Sequence, residues 1–212
     1  MLRKLLKEKI LILDGATGTA IQKFGLTEKD FRGQRFVAHP VNLKGNNDIL
    51  NLTKPEIIQS IHQSYIEAGA DIIETNTFNS NAISQEEYHC CELVYTLNYE
   101  GARLAKQTAS QARRPVFVAG SIGPTSKTLS LSPDVNHPEF RPVDFDTLTA
   151  AYTTQINGLI DGGADLLLVE TVFDGLNAKA ALYAIDRIQQ EKGTTIPVMV
   201  SATVNDKSGR TL

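Results

Sequence analysis

Apolar and polar positions alternate in blocks along the chain. Short apolar runs at 10–13, 71–74, 115–119, 166–169 and 196–200 each give way to small or polar residues. The closing residues are Asp14-Gly15, Thr75-Asn76-Thr77, Gly120-Ser121-Ile122-Gly123-Pro124-Thr125, Glu170-Thr171 and Ser201-Ala202-Thr203. Runs this short and this apolar predict strands buried on both faces of a parallel sheet. The segments between them carry helical spacing. Lys54–Ala68 places Ile57, Ile58, Ile61, Tyr65 and Ala68 on one face, with Thr53 as the expected cap and Pro55 in the first turn. Cys91–Thr108, Phe145–Leu159 and Leu176–Gln190 repeat the pattern, the last two stopped by Gly162-Gly163 and Lys192-Gly193. A short phrase recurs: Gly-Ala-Asp-Ile-Ile-Glu-Thr at 69–75 and Gly-Ala-Asp-Leu-Leu-Leu-Val-Glu-Thr at 163–171.

Alternating strands and helices imply βα units with right-handed crossovers. A doubly wound sheet and a (β/α)₈ barrel both fit. No Gly-x-Gly-x-x-Gly turn follows a strand, which weakens a dinucleotide fold, and Asp14–Thr19 lacks the lysine of a phosphate loop. Polar residues at the C-terminal end of all five runs favour a barrel rim. Two stretches, 28–53 and 126–142, read as long irregular loops.

Composition narrows the class. With 42% hydrophobic and 21% charged residues and a net charge of −3, the 212-residue chain has an ordinary globular make-up. No basic stripe suggests nucleic acid, and no apolar run suggests a membrane span. The lysines and arginine near the start read as a solvated first helix. Two cysteines do not make a disulfide framework, and a cytoplasmic location is expected.

Asp14 and Glu170 form the sharpest candidate pair, since strand ends of one barrel share one mouth. Two carboxylates suit a ligand ammonium group or acid/base work; capping and backbone hydrogen bonds explain them equally well. Gly15 and Ala16 could offer backbone N–H groups to an anion, and Glu74–Thr77 offers further polar groups. Cys90-Cys91 is expected to be structural, since three or four ligands make a zinc site. Of the histidines, His39 is the best functional candidate.

Six segments together resemble a known family: 14–19 (Asp-Gly-Ala-Thr-Gly-Thr), 45–48 (Gly-Asn-Asn-Asp), 68–78, 119–125, 170–174 and 208–212 (Ser-Gly-Arg-Thr-Leu). They look like the N-terminal homocysteine-binding module of cobalamin-dependent methionine synthase. The resemblance implies the TIM-barrel fold, with residues 1–212 forming about the first five βα units of that domain, and the rest of the barrel and the later modules absent. It implies a methyltransferase that binds homocysteine as a zinc thiolate and methylates it from methylcobalamin, recharged by methyltetrahydrofolate. By position, Asp14 and Glu170 would hold the homocysteine amino group, Gly15 and Thr75 its carboxylate, and Asn79 would lie near the metal. The second copy of the repeated phrase thus contributes its Glu, and the first its Thr75 rather than Glu74.

The family's three cysteine ligands have no counterpart in these 212 residues. The expectation is therefore a chain inactive by itself, without bound zinc or cobalamin, whose open edges promote self-association. Its partners would be the remaining half-barrel and the cobalamin and folate modules. A non-catalytic half-barrel that binds an amino acid or a partner is the alternative. A small hydrolase or isomerase is disfavoured because no Gly-x-Ser-x-Gly motif occurs.

Overall fold

The computed structural model describes residues 2–204, so the segment 208–212 lies outside the described residues. Among the described residues four strands are present: β1 (Ile72–Glu74), β2 (Phe117–Ile122), β3 (Leu166–Val172) and β4 (Val198–Ala202). All pair in parallel, in the order β1-β2-β3-β4. The helices are α1 (Leu2–Glu8), α2 (Thr17–Gln22), α3 (Glu28–Arg32), α4 (Leu50–Thr53), α5 (Pro55–Ala68), α6 (Ala82–Gln85), α7 (Val94–Ser110), α8 (Phe145–Asp161) and α9 (Gly175–Lys192). Spatial order equal to sequence order is the winding of a barrel wall. A doubly wound sheet reverses its order at a switch point, and this one does not.

The first expected strand, 10–13, is reduced to one parallel bridge, Leu13 to Ile72. It flanks β1 at the edge of the sheet, and Ile10 and Ile12 are exposed. Asp71 anchors it: its carboxylate accepts from the Ile12 N–H at 3.1 Å and from Lys9 at 2.7 Å. Asp14 N–H then donates to Ile72 O at 2.9 Å, which fixes Asp14 beside the end of β1.

Side chains alternate across the sheet, as a strand period of two requires. Ile72, Phe117, Ala119, Leu166 and Leu168 face inward, where Leu2 and Leu5 of α1 pack on them. Ile122, Leu167 and Val169 face outward onto α8 and α9 through Leu148, Ile156, Leu159, Ala184 and Ile188. Glycines let α8 press closely on α7: a Cβ on Gly158 would lie 2.6 Å from Tyr95 O, and one on Gly162 2.4 Å from Tyr99 O. β4 pairs only with β3 among the described residues, and its Val198 and Val200 are exposed.

Three expectations need correction. Thr53 does not cap α5; Lys54 occupies that position, and the Thr53 hydroxyl turns back to Ile49 O at 3.3 Å. The stretch 28–53 is not irregular: it holds α3, a 3₁₀ turn at Asn47–Ile49 and α4. The Glu28 carboxylate staples it by accepting from Arg32 and from the N–H groups of Leu43 and Lys44. The third strand-like run continues past Ala119 to Ile122, so Gly120, Ser121 and Ile122 belong to the strand, not to a turn. No helix among the described residues is long and apolar enough to cross a membrane.

Candidate functional site

The C-terminal ends of the sheet converge on a cavity of about 380 Å³. Asp14, Gly15, Thr75, Asn79 and Glu170, singled out from sequence, all line it, although they lie far apart in the chain. Chain order alone separates them; the parallel winding brings every strand end to one rim.

Each carboxylate is held differently. Both oxygens of Asp14 accept the Glu74 N–H, at 3.1 and 3.0 Å. Glu170 accepts a short hydrogen bond from the Ser121 hydroxyl. The backbone re-aims Glu170 as well. The pairing of β3 with β4 shifts register between Val169 and Val172, and Thr171 sits at φ 55°. A left-handed β-branched residue inside a bulge is strained, and such bulges occur where a strand turns a side chain toward a site. Glu74 completes a triad of acids, and its carboxylate receives no hydrogen bond among the described residues.

Burial dominates the electrostatics. Desolvation raises Asp14 to about 7; the Glu74 N–H opposes this and the charge of Glu170 adds to it. Desolvation, then Glu170, then Asp14 push Glu74 up to about 8. Glu170 is also raised by burial, with the Ser121 hydroxyl pulling the other way. Asp48, fully buried in the same lining, is raised to about 6 against hydrogen bonds from Ser80 and Asn79. Among the described residues no Lys, Arg or His side chain lines the cavity. Its acids therefore have no counter-charge in that lining, and a cationic ligand group would supply one.

Part of the lining comes from a loop, residues 76–80, that is held by amide side chains. Asn51 donates to Asn76 O at 2.8 Å, Asn98 to Ser80 O at 2.7 Å and Gln155 to Thr77 O at 2.9 Å. Asn46 and Gln85 pair at 2.7 Å, and Gln85 also reaches Asn79 O at 3.1 Å. These bonds satisfy polar groups that burial would otherwise strand. They also show why Gly-Asn-Asn-Asp matters: Asn46 and Asp48 brace the loop that carries Asn79.

Thr75 is tightly engaged. Thr77 gives its proton to Ser121 O at 2.8 Å, so the Thr75 hydroxyl donates to Thr77 at 2.6 Å and accepts from Ser121 N–H at 2.9 Å. The Thr75 N–H goes to Ala119 O. By contrast, the N–H groups of Gly15 and Ala16 donate to no backbone acceptor among the described residues, and no side chain caps α2.

The other candidates lie elsewhere. His39 bonds Tyr88 O at 2.7 Å and lies 3.8 Å from the Cys90 sulfur, in a structural corner outside the cavity. Cys90 is buried and Cys91 exposed; neither lines the cavity. Among the described residues no three His, Cys, Asp or Glu side chains are grouped to hold a metal ion. A thiol-activating zinc thus finds no fitting donor set in them. Sequence reading missed Ser121, hidden because its segment resembled a turn, and Asp48, whose only signal was the Gly-Asn-Asn-Asp segment.

Residues 11–212 match the family model described as homocysteine S-methyltransferase. Among solved structures, the chain is similar to the homocysteine methyltransferase MmuM from Escherichia coli in three forms, each at 21% identity. For the metallated form the TM-score is 0.69, covering 97% of this chain and 67% of that one. The oxidized form gives 0.70 with 99% and 69%, and the apo form 0.65 with 99% and 67%. At that identity the structural likeness establishes the shared barrel-type fold. The family match spans nearly the whole chain, and the chain belongs to the homocysteine S-methyltransferase family.

Proposed function

We propose that the cavity grips the amino-acid end of homocysteine for a methyl transfer to its sulfur. The observation that carries this reading is the meeting of Asp14 and Glu170 in one cavity that, among the described residues, no basic side chain lines. In this reading their carboxylates accept hydrogen bonds from the substrate ammonium group. Charge-assisted bonds in a partly dry site are the strong ones. The N–H groups of Gly15 and Ala16 face the substrate carboxylate, with Thr75 shaping that end of the pocket. Asn79 stands toward the thiol. Ser121 acts through Glu170 by fixing its orientation.

In the same reading, the chain is the substrate-gripping part of a methionine synthase, with methylcobalamin as donor and homocysteine bound as a zinc thiolate. The Gly-Asn-Asn-Asp segment supports this choice within the family. When bound, zinc would supply a thiolate at neutral pH. The described residues offer it no donor set, so their part is confined to binding and orienting the amino acid, and the chain by itself is proposed to be inactive. The exposed apolar side chains of β4 and of segment 10–13 support a second proposal, self-association of the isolated chain. A monodisperse monomer in solution scattering would refute it.

Calorimetric titration with homocysteine tests the binding role. Asp14→Asn and Glu170→Gln should each weaken binding by about 10- to 100-fold, the loss of one hydrogen bond to a charged group. Equal affinity for wild type and both variants would refute it. Retention of binding with loss of discrimination against amino acids in general would favour the non-catalytic amino-acid-binding module instead.

A further inference from the structure

Bound homocysteine would bring a carboxylate into a cavity already lined by Asp14, Glu74, Glu170 and Asp48 and, among the described residues, by no cationic side chain. The substrate ammonium offsets part of that charge. Its carboxylate still needs donors. Thr75 has none to give, because its hydroxyl proton and its N–H are both committed within the protein. Gly15 and Ala16 provide backbone N–H groups, and Thr17, Asn47 and Asn79 line the same cavity with side-chain donors. A protonated acid would add a donor at the end of the cavity where the acids meet.

The hydrogen bonds identify which acid that is. Asp14 receives the Glu74 N–H on both oxygens. Glu170 receives the Ser121 hydroxyl, and Asp48 receives Ser80 and Asn79. Donors stabilise the ionised form of a carboxylate. Glu74 alone of the four has no donor among the described residues, and it faces two neighbouring acids. The charged groups acting on it are Glu170 on β3 and Asp14 on the segment before α2. Both are acidic, so each favours a neutral Glu74.

We propose that Glu74 works as a neutral carboxylic acid whose O–H donates a hydrogen bond to the carboxylate of the bound amino acid, so that it reads the zwitterionic end of the substrate. This rests on the amino-acid reading of the cavity above. Burial and the charges of Glu170 and Asp14, which lift Glu74 to about 8, agree with the arrangement. A protonated acid in a water-poor site is an established device for donating a hydrogen bond near neutral pH. It also lets four acids line one pocket without excluding an anion.

Two measurements on the full chain test the proposal. Infrared difference spectra across a pH titration should show a carboxylic-acid carbonyl band that fades around pH 8 and is missing in Glu74→Gln. The same band persisting in that variant would overturn the proposal. Calorimetry with L-homocysteine supplies the second test. Glu74→Gln keeps an N–H donor and should bind within about twofold of wild type at neutral pH, whereas Glu74→Ala should bind about tenfold more weakly. The affinity ratio of wild type to Glu74→Gln should fall as pH rises past 8, and ionisation of the ligand cancels in that ratio. Glu74→Gln as weak as Glu74→Ala, or a ratio independent of pH, would overturn the assignment. Wild type that shows the band yet binds no homocysteine would overturn the amino-acid reading of the cavity instead.

Discussion

Replacing Asp14 by Asn should make the stability of the unliganded chain less sensitive to rising pH. Asp14 is raised from 3.8 to about 7, so between those values the folded state binds more protons than the unfolded one. Its contribution is fully present below the unfolded value and is lost as pH rises through about 7. The whole shift, about 3 units, corresponds to roughly 4 kcal/mol at ~1.36 kcal/mol per unit. Solvent at the cavity mouth screens this to about 2 kcal/mol. About 60% of it falls between about pH 5 and pH 8, or roughly 1.2 kcal/mol. The amide introduced by Asp14→Asn would keep an acceptor for the Glu74 N–H, so the local backbone bond survives. Urea unfolding at the two pH values measures the effect. Wild type should lose about 1.2 kcal/mol more than Asp14→Asn over that interval, or about 2–5 °C in Tm. His62 titrates identically in both chains and cancels. Parallel pH dependences would show that Asp14 is not strained by burial, and would remove the electrostatic basis of the site.

Other consequences can be checked the same way. His62 is fully buried with neither ring nitrogen hydrogen-bonded among the described residues, and burial lowers it to about 4. Its neutral form contributes stability that is present above the unfolded value of 6.5 and lost as pH falls toward about 4. His62→Leu should remove about 3 kcal/mol of that acid-side loss, measured by chemical unfolding. Gly158→Ala should destabilise by about 1–3 kcal/mol, because the new methyl meets Tyr95 O and the Asn98 Cβ with no room between α7 and α8. Asp174→Ala should cost about 2 kcal/mol and loosen the 126–142 stretch, detectable as faster proteolysis there. Asp174 both caps α9 through Leu176 and Asn177 and holds Ser130.

Much of the fold is legible in the apolar periodicity. The runs at 71–74 and 166–169 mark β1 and β3 because parallel strands covered on both faces have to be apolar throughout, whereas 196–200 marks β4 by apolar composition alone, since Val198 and Val200 are exposed rather than buried. Helix ends at Gly69, Gly162 and Gly193 follow from residues that stop a helix readily. Segment 10–13 reads as a full strand because its residues are as apolar as those of β1. What reduces it to a bridge is its place at the sheet edge, which local sequence does not encode. β2 reads too short for the opposite reason: Gly120 and Ser121 suggest a turn, yet Gly120 is accommodated where Leu159 and Leu167 crowd the strand. The site is legible as strand-end chemistry at Asp14, Thr75 and Glu170. Ser121 and Asp48 are not, since their roles depend on which strand lies next to which. The committed hydroxyl of Thr75 and the undonated carboxylate of Glu74 depend on hydrogen-bond directions that only three-dimensional placement gives.

The central claim is that Asp14 and Glu170 hold the substrate ammonium group. Titrating homocysteine at neutral pH in two buffers of different ionisation enthalpy tests it most directly. Asp14, raised to about 7 when unliganded, has to ionise to pair with the ammonium, so binding should release about half a proton per ligand from it, and that release should be lost in Asp14→Asn. Absence of binding, or proton uptake instead of release, would contradict the claim.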